Sequence, residues 1–295
     1  MEDVYKMNDY KAYESYDSSL EGELELFEKQ LDSLKGGFLT NISHELRTPI
    51  ALIYSNIHLL EKNLNIDKRA SDLKSQEYIG TIKKNTLRIL RIINNMLEVS
   101  NIDAGCISIN MEKCNIVKVV EEMILSVVEP MKKINVKLVF DTDIEEAIVY
   151  ADIKKIEKVI LNLLSNSVKY SKGNTDVIIN VIAYEENGQV CISFKDNGIG
   201  IPEEFGDKIY DKFRQWDSST TRKTEGSGIG LHLVKMLLNM QNADIDYVSK
   251  LHEGSEFIIK FKPCEYTQEE YEEICTTCYS IRMDNFQVEF SDISL

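Results

Sequence analysis

Basic charge is the first shortage. Against 49 Asp and Glu the 295-residue chain sets only 34 Lys and Arg, for a formal net charge of -15. A nucleic-acid or anionic-membrane surface needs clustered cations, so neither is an expected partner, and any bound phosphate must be gripped locally. Long apolar runs are missing too: none approaches the roughly 20 residues that cross a bilayer. The opening twenty residues, MEDVYKMNDYKAYESYDSSL, are acidic and tyrosine-rich, unlike a signal peptide. No membrane span and a cytoplasmic location are expected. The six cysteines form no secreted-type disulfide framework. Only Cys275-Thr-Thr-Cys278 has metal-like spacing, and one such pair without further ligands reads as reduced side chains.

What is present suffices for two units. With 43% hydrophobic and 28% charged residues, the chain can bury one full α/β core plus a smaller helical element. Apolar residues at Leu24, Phe27, Leu31, Leu34 and Phe38 alternate steps of three and four, an a/d seam that continues through Ile53, Ile57, Leu60 and Leu64. A polar stretch, NIDKRASDLKS, reads as a connection. A second seam runs Ile79, Ile82, Thr86, Ile89, Ile93, Met96 and ends near Asp103-Ala104-Gly105. One helical hairpin cannot cover both stripes, whereas two copies can, as a four-helix bundle. The chain is therefore expected to be a homodimer through residues 20–104.

After Gly105 the period changes. Short β-branched runs at 134–140, 175–184, 189–196, 244–250 and 255–261 alternate with helical segments near 116–130, 152–168 and 228–241, which predicts an α/β sandwich. The acidic segment beyond Pro263 ends in QVEFSDISL, where Val288 and Phe290 alternate like a short strand.

Histidine is scarce, with four in the chain, and one lies in ISHELRTPI at 42–50. If Phe38, Ile42 and Leu46 form the buried row, His44 is rotated about 200° from it at 100° per residue and faces solvent. Pro49 has no N–H and clashes with the carbonyl of residue 45, so the helix is expected to loosen one turn after His44. Glu45 can accept a proton from the imidazole or orient it, leaving the other ring nitrogen as a nucleophile.

The second half offers an electrophile. In ILNLLSNSVKYS, Asn162, Asn166 and Lys169 recur at about one helical turn, lining one face above Ile160, Leu163, Leu164 and Val168. Neutral amide oxygens suit a Mg²⁺ already shared with phosphates. DNGIGIP at 196–202 ends a predicted strand with a carboxylate and two close glycines, Gly198 and Gly200, which would let a flat ring approach while Asp196 accepts its hydrogen bond. GSGIGL at 226–231 opens a predicted helix, whose free N–H groups attract phosphate. Singly each has a mundane rival, a turn, a loop or a solvated face. In this order they converge on a nucleotide.

These segments resemble the boxes of the sensor histidine kinases of two-component systems: ISHELRTPI the H box, LNLLSNSVKYS the N box, DNGIGIP the first glycine box, YDKFRQWD the F box and GSGIGL the second glycine box. The match runs from about Leu24 to Pro263. It implies an α+β protein: a dimeric helical-hairpin phosphoacceptor domain over 24–104, after a short segment 1–23, then a Bergerat-type ATP-binding α/β sandwich over 106–263 of the kind found in gyrase and MutL, with an acidic C-terminal tail, 264–295, of unassigned role. The family implies that His44 is phosphorylated by ATP and donates to an aspartate in the receiver domain of a response regulator.

Residue by residue, Glu45 matches the base and Thr48 the position that helps place water when such kinases act as phosphatases. Asn166 matches the Mg²⁺ ligand, with Asn162, Lys169 and Tyr170 near the phosphates and ribose, and Asp196 matches the adenine reader. Phe213 and the stretch Asp217 to Glu225 match the ATP lid, where Arg222 or Lys223 reaches a phosphate. Gly226, Gly228, Gly230 and Leu231 match the second glycine box. ATP-hydrolysing relatives carry a glutamate at the position of Asn162, and an amide cannot serve as that base, so transfer to histidine is expected over hydrolysis. A phosphatase and a catalytically silent docking scaffold are the alternatives. A dinucleotide enzyme is disfavoured because SSTTRKTE before the glycines is no strand.

Two departures stand out. Gln241-Asn242-Ala243 replaces the family's His-Gly-Gly turn, and the residues before Leu24 are too few for a sensor domain. Input would then come from a separate sensor protein, the bundle itself or a portion outside this chain.

Overall fold

A computed structural model describes residues 38–63, 68–172, 176–212 and 228–293. The seam before Phe38, Leu64, the side chain of His44, Phe213, the lid stretch with Arg222 and Lys223, Gly226 and the side chain of Cys275 lie outside the described residues.

Two helices open the described chain, α1 (Phe38–Asn63) and α2 (Lys68–Asp103), packed as a hairpin. Helix α1 runs through Pro49 without interruption, so the expected loosening does not break it. Helix α2 begins at Lys68, inside the stretch expected to be a connection. That stretch contains no Gly or Pro, and its Lys, Arg, Ala and Leu favour helix once packing is available. Helix α2 closes with Gly105 at φ +66°, whose N–H donates to Ile102 O at 2.9 Å while that of Cys106 donates to Asn101 O at 2.9 Å. Within one chain the expected seam of α2 is largely bare: Ile79 and Ile93 are 55% and 41% exposed. A different face, carrying Arg91, Asn95 and Val99, is buried, and Val99 joins the core of the second unit.

That unit contains a five-stranded mixed sheet in the order β2 (Val136–Thr142), β4 (Val177–Glu186), β5 (Gln189–Asp196), β7 (Gly254–Phe261), β6 (Asp244–Lys250). Only the β2–β4 pair is parallel. The apolar faces of α3 (Ile116–Lys133), α4 (Ile153–Lys169) and α5 (Gly230–Asn239) share one core with the sheet. Strands β5 and β6 coincide with the predicted runs. The β4–β5 turn places Asn187 and Gly188 at φ +53° and +73°, the left-handed pair that matches the twist of a tight hairpin.

The caps are local. Asn115 Oδ1 accepts from Val117 N at 3.2 Å, and Asp152 Oδ1 from Lys154 N at 3.0 Å, satisfying helix-end donors that nothing else reaches. Gln241 is buried, accepts from Asp152 N at 2.7 Å and donates to Leu237 O at 2.9 Å, while Asn242 takes the left-handed position at φ +55°. The Gln-Asn-Ala departure therefore builds an ordered turn.

Two four-residue strands, β1 (Glu112–Asn115) and β3 (Ile148–Ala151), pair antiparallel and were too short for a periodic signal. Beyond Pro263 the chain forms α6 (Gln268–Thr276), which starts with a Thr267–Glu270 capping box and is tied to β1 by Glu270 Oε1 and Lys113 Nζ at 2.8 Å. Helix α7 (Met283–Glu289) follows. The strand expected at Val288 and Phe290 is thus corrected to a helix and its closing turn. Phe286 and Phe290, one turn apart, stack at 4.2 Å and belong to the core of the sheet unit. Both periods put such a pair on one face, but a strand would hold the two rings about 13 Å apart, so stacking requires the helical rise.

Phe194 on the central strand β5 is 1% exposed. Phe194→Ala is expected to destabilise the protein by about 3–5 kcal/mol, whereas Val248→Ala, on a 66% exposed residue, should stay within about 0.5 kcal/mol of wild type. Urea denaturation of both variants checks the ordering, and equal losses would contradict the core placement.

Candidate nucleotide site

Helix α4 is two-sided. Ile160, Leu163, Leu164 and Val168 are buried in the core, and the helical period turns Asn162, Asn166 and Lys169 to the other side, where they line a cleft. The start of α5 closes that side: Gly228, at φ +62°, Gly230 and Leu231 line the same cleft. A Cβ on Gly230 would come within 2.3 Å of Asn162 Oδ1, so any side chain there would displace the Asn162 amide from its place. The buried Nδ2 of Asn162 has no hydrogen-bond partner among the described residues. An orphaned donor beside an ammonium fits an anionic oxygen or a water bound to one.

The cleft continues past Asn166, Tyr170, Ile209 and Leu231 into an apolar lobe of about 710 Å³ of empty space, open to solvent. Ile199, Ile201, Phe205 and Phe257 line this lobe, with Asp196 as its carboxylate. Asp196 Oδ1 accepts from Gly198 N at 2.8 Å and Ser255 N at 3.2 Å, and Oδ2 accepts from Ser167 Oγ at 3.3 Å. Burial nevertheless pushes its pKa above the ordinary 3.8, outweighing those hydrogen bonds. A flat apolar ring with a polar edge suits this shape.

The two glycines of the loop are required for a reason other than the one expected. A Cβ on Gly198 would lie 2.7 Å from Tyr170 O, and one on Gly200, at φ +72°, would lie 2.1 Å from Lys250 O. The protein's own backbone demands them, which fixes the loop on one side of the lobe.

At the polar end, burial brings the Lys169 ammonium down to about 8, although Asp292 and Glu45 pull it back up. Burial likewise raises the Glu45 carboxyl, against the pull of Lys169, Arg88 and Arg91. Glu45, next to His44 on α1, therefore shares an electrostatic environment with the polar end of the cleft. Thr48 lies one turn beyond His44 on the same helix.

The described sequence-predicted residues of the second half thus gather at one cleft, with Gly198 and Gly200 shaping its loop. Sequence reasoning missed Arg88 and Arg91 on α2, Ser167 and Ser255 beneath Asp196, and Glu289 and Asp292 of the C-terminal segment. The i, i+3 spacing of the arginines and the serine within SNSVKYS were legible signals. Nothing in SDISL pointed to the cleft. Among the described residues no group of three or more His, Cys, Asp or Glu could hold a metal, so a cation here would rely on Asn166 and on oxygens brought by a ligand.

Residues 34–105 match the family model described as a His Kinase A (phospho-acceptor) domain, and residues 151–265 the one described as a histidine kinase-, DNA gyrase B-, and HSP90-like ATPase. Sensor protein RprX of Bacteroides fragilis is 30% identical over 232 residues, which cover 79% of this chain and 44% of that protein. The chain thus spans less than half the length of this curated relative. Two solved structures share the fold. Histidine kinase ThkA in complex with response regulator protein TrrA gives a TM-score of 0.57 at 23% identity, over 83% of this chain and 66% of that one. Full-length ShkA in complex with AMPPNP gives 0.55 at 19%, over 77% and 46%. With the phospho-acceptor and ATPase units matched in that order, on the hairpin and the sheet that carries the cleft, the chain belongs to the sensor histidine kinases of two-component systems, within the ATPase superfamily that includes gyrase B and HSP90.

Proposed function

We propose that the protein is an ATP-dependent protein-histidine kinase that phosphorylates His44 and passes the phosphoryl group to an aspartate of a response regulator. One observation carries this reading: the polar end of the cleft, at Asn166 and Lys169, lies in the same charged environment as Glu45, the neighbour of His44. A phosphoryl group bound there would lie close to the phosphoacceptor helix. Adenine would occupy the apolar lobe, its amino group donating to Asp196, and the triphosphate would run past Tyr170 and Asn166 toward Lys169 and the N–H groups at Gly228 and Gly230. The unpartnered Asn162 Nδ2 supports that path. Mg²⁺ would be held by Asn166 and phosphate oxygens and would neutralise charge during transfer.

In the transfer, a ring nitrogen of His44 attacks the terminal phosphorus, an N–P bond forms, the bridging P–O bond breaks and ADP leaves. Glu45 takes the imidazole proton. Asn162 has no basic group to activate water, which favours transfer over hydrolysis. The division into a phosphoacceptor hairpin over 24–104 and a catalytic unit over 106–263 belongs to this reading. Its 264–295 boundary is structural in name only, because Phe286 and Phe290 pack into the catalytic core.

The bare stripe on the hairpin supports a homodimer. Ile57, Ile79, Ile93 and Leu97 are all exposed in one chain, and burying four such side chains contributes roughly 1.5–3 kcal/mol each before entropy is counted. Ile79→Asp with Ile93→Asp should yield monomers in sedimentation at micromolar concentration, and dimers of unchanged stability would exclude this face.

The kinase reading is tested by labelling with γ-labelled ATP and Mg²⁺. The wild type should acquire acid-labile, alkali-stable label, and His44→Gln should acquire none while still binding ATP. Substantial label on the mutant would reject His44 as the acceptor.

Asp196→Asn should weaken ATP binding about tenfold to a hundredfold, the worth of one hydrogen bond to a charged group. Acid should do the same to the wild type. Because burial raises the Asp196 pKa, affinity should fall as pH drops through a value above 3.8, where the acceptor becomes protonated. Calorimetric titration against pH reads both effects, and an affinity that is flat with pH would remove Asp196 from the contact.

A further inference from the structure

The polar end of the cleft is walled in part by the chain's own C-terminal segment: Glu289, Asp292 and Ile293 line it together with Asn162 and Asn166. Asp292, its side chain 7% exposed, is hydrogen-bonded to Arg91 Nη2, lies 3.2 Å from Arg88 Nε and stands 4.0 Å from Lys169 Nζ. These three cations are 10%, 12% and 11% exposed. Arg91 Nη1 also donates to Glu289 O at 2.8 Å, and Ser165 Oγ to Glu289 Oε1 at 3.5 Å. Three cations, each largely shielded from solvent, around the one side-chain carboxylate of Asp292 form a built anion site. Two of them are guanidinium groups, whose planar fork donates to carboxylate and phosphate oxygens with the same geometry.

The segment reaches this position along anchored contacts. Tyr279 N donates to Glu122 Oε2 at 2.6 Å, Ile281 N to Ser126 Oγ at 3.1 Å, and Asn285 Nδ2 to Glu157 Oε1 at 2.8 Å. Phe286 and Phe290 then bury α7 between α2 and α4. Asp292 emerges from this anchored helix at the place where Lys169 and Asn166 face the cleft.

We propose that Arg88, Arg91 and Lys169 form one anion site with two alternative occupants, the Asp292 carboxylate of the C-terminal segment and the terminal phosphates of ATP, so that the segment inhibits the kinase by competing for the phosphate end of its own nucleotide cleft. This rests on the kinase reading above. An internal occupant lowers apparent affinity by the fraction of molecules in which it is seated. Asp292 does not line the apolar lobe around Asp196, so the competition acts on the phosphates and not on the adenine. When the segment leaves, Arg88 and Arg91 bring two cations of the hairpin onto the phosphoryl group, beside the helix that bears His44.

Removing residues 283–295 would bare the surface that Phe286 and Phe290 cover, so the point variant Asp292→Asn, which keeps both anchors, carries the test. Full-length wild type and Asp292→Asn are titrated calorimetrically with Mg-ATP and with adenosine, and initial rates of His44 labelling are measured. The variant should bind Mg-ATP about tenfold tighter, bind adenosine unchanged and label faster. Adding Arg91→Ala to Asp292→Asn should abolish the gain. In the wild type, Mg-AMPPNP but not adenosine should speed deuterium exchange in residues 283–293. A variant that labels His44 yet binds Mg-ATP no tighter than wild type overturns the competition and makes the segment a brace between α2 and α4. Absence of Mg-ATP binding and of label in both proteins overturns the kinase reading together with it.

Discussion

Everything in the cleft depends on α4 being committed on both sides. Its apolar residues are fixed in the sheet core, so the helix cannot rotate to hide Asn162, Asn166 and Lys169, and a 3.6-residue period delivers these three to one line. Asp152 caps the helix at one end, and at the other Tyr170 O holds the loop of Gly198 through Ile199 N at 2.9 Å. The same short element thus sets the distance between the carboxylate lobe and the ammonium end.

The junction between hairpin and sheet unit has a different character. Besides the apolar contacts of Val99, Ile102 and α7, it is fastened by charges: Glu98 pairs with Lys155 at 2.7 Å and with Lys158, and Asp103 with Lys212 at 2.6 Å. Pairs of this kind, each with at least one partner 20% or more exposed, contribute little each and weaken with salt. Such a contact holds an orientation without fusing the units, as the proposed phosphoryl transfer from a cleft to a helix would require. Asp292 differs because it and its partners are buried. Separating that group costs about 3–5 kcal/mol if one partner is left uncompensated, so an incoming polyanion is the natural means of releasing it.

The parts of this organisation that a period or a motif encodes could be read in advance. Strands β5 and β6 coincide with β-branched runs, and the asparagine-lysine line of α4 follows from spacing alone. What escaped was carried by contacts between distant segments. Strands β1 and β3 have four residues each, too few for alternation, and exist because they pair with each other. Phe286 and Phe290 fit a helical stripe as well as a strand once Val288 is ignored, and only the groove between α2 and α4 decides. Ser167 lay within a recognised motif, yet its donation to Asp196 depends on a loop 29 residues away in sequence. The glycines of DNGIG were legible as necessary but not as necessary for the backbone of Tyr170 and Lys250.

The acidic composition gives the C-terminal segment its physical sense. A chain of net charge -15 repels ATP at long range, so the phosphate end must concentrate cations where water is scarce, and burial already brings Lys169 down to about 8. Three buried cations with no anion would destabilise the empty site and favour its collapse or the deprotonation of the lysine. A carboxylate supplied by the chain itself resolves this in the absence of nucleotide, and helix α7, held by two stacked phenylalanines, supplies it at a defined position. The requirement that stabilises the empty cleft is then also what obliges ATP to compete for it. Any influence that shifts α2 relative to α4, and so moves Arg88 and Arg91 away from Lys169, weakens the hold on Asp292 and opens the cleft to nucleotide.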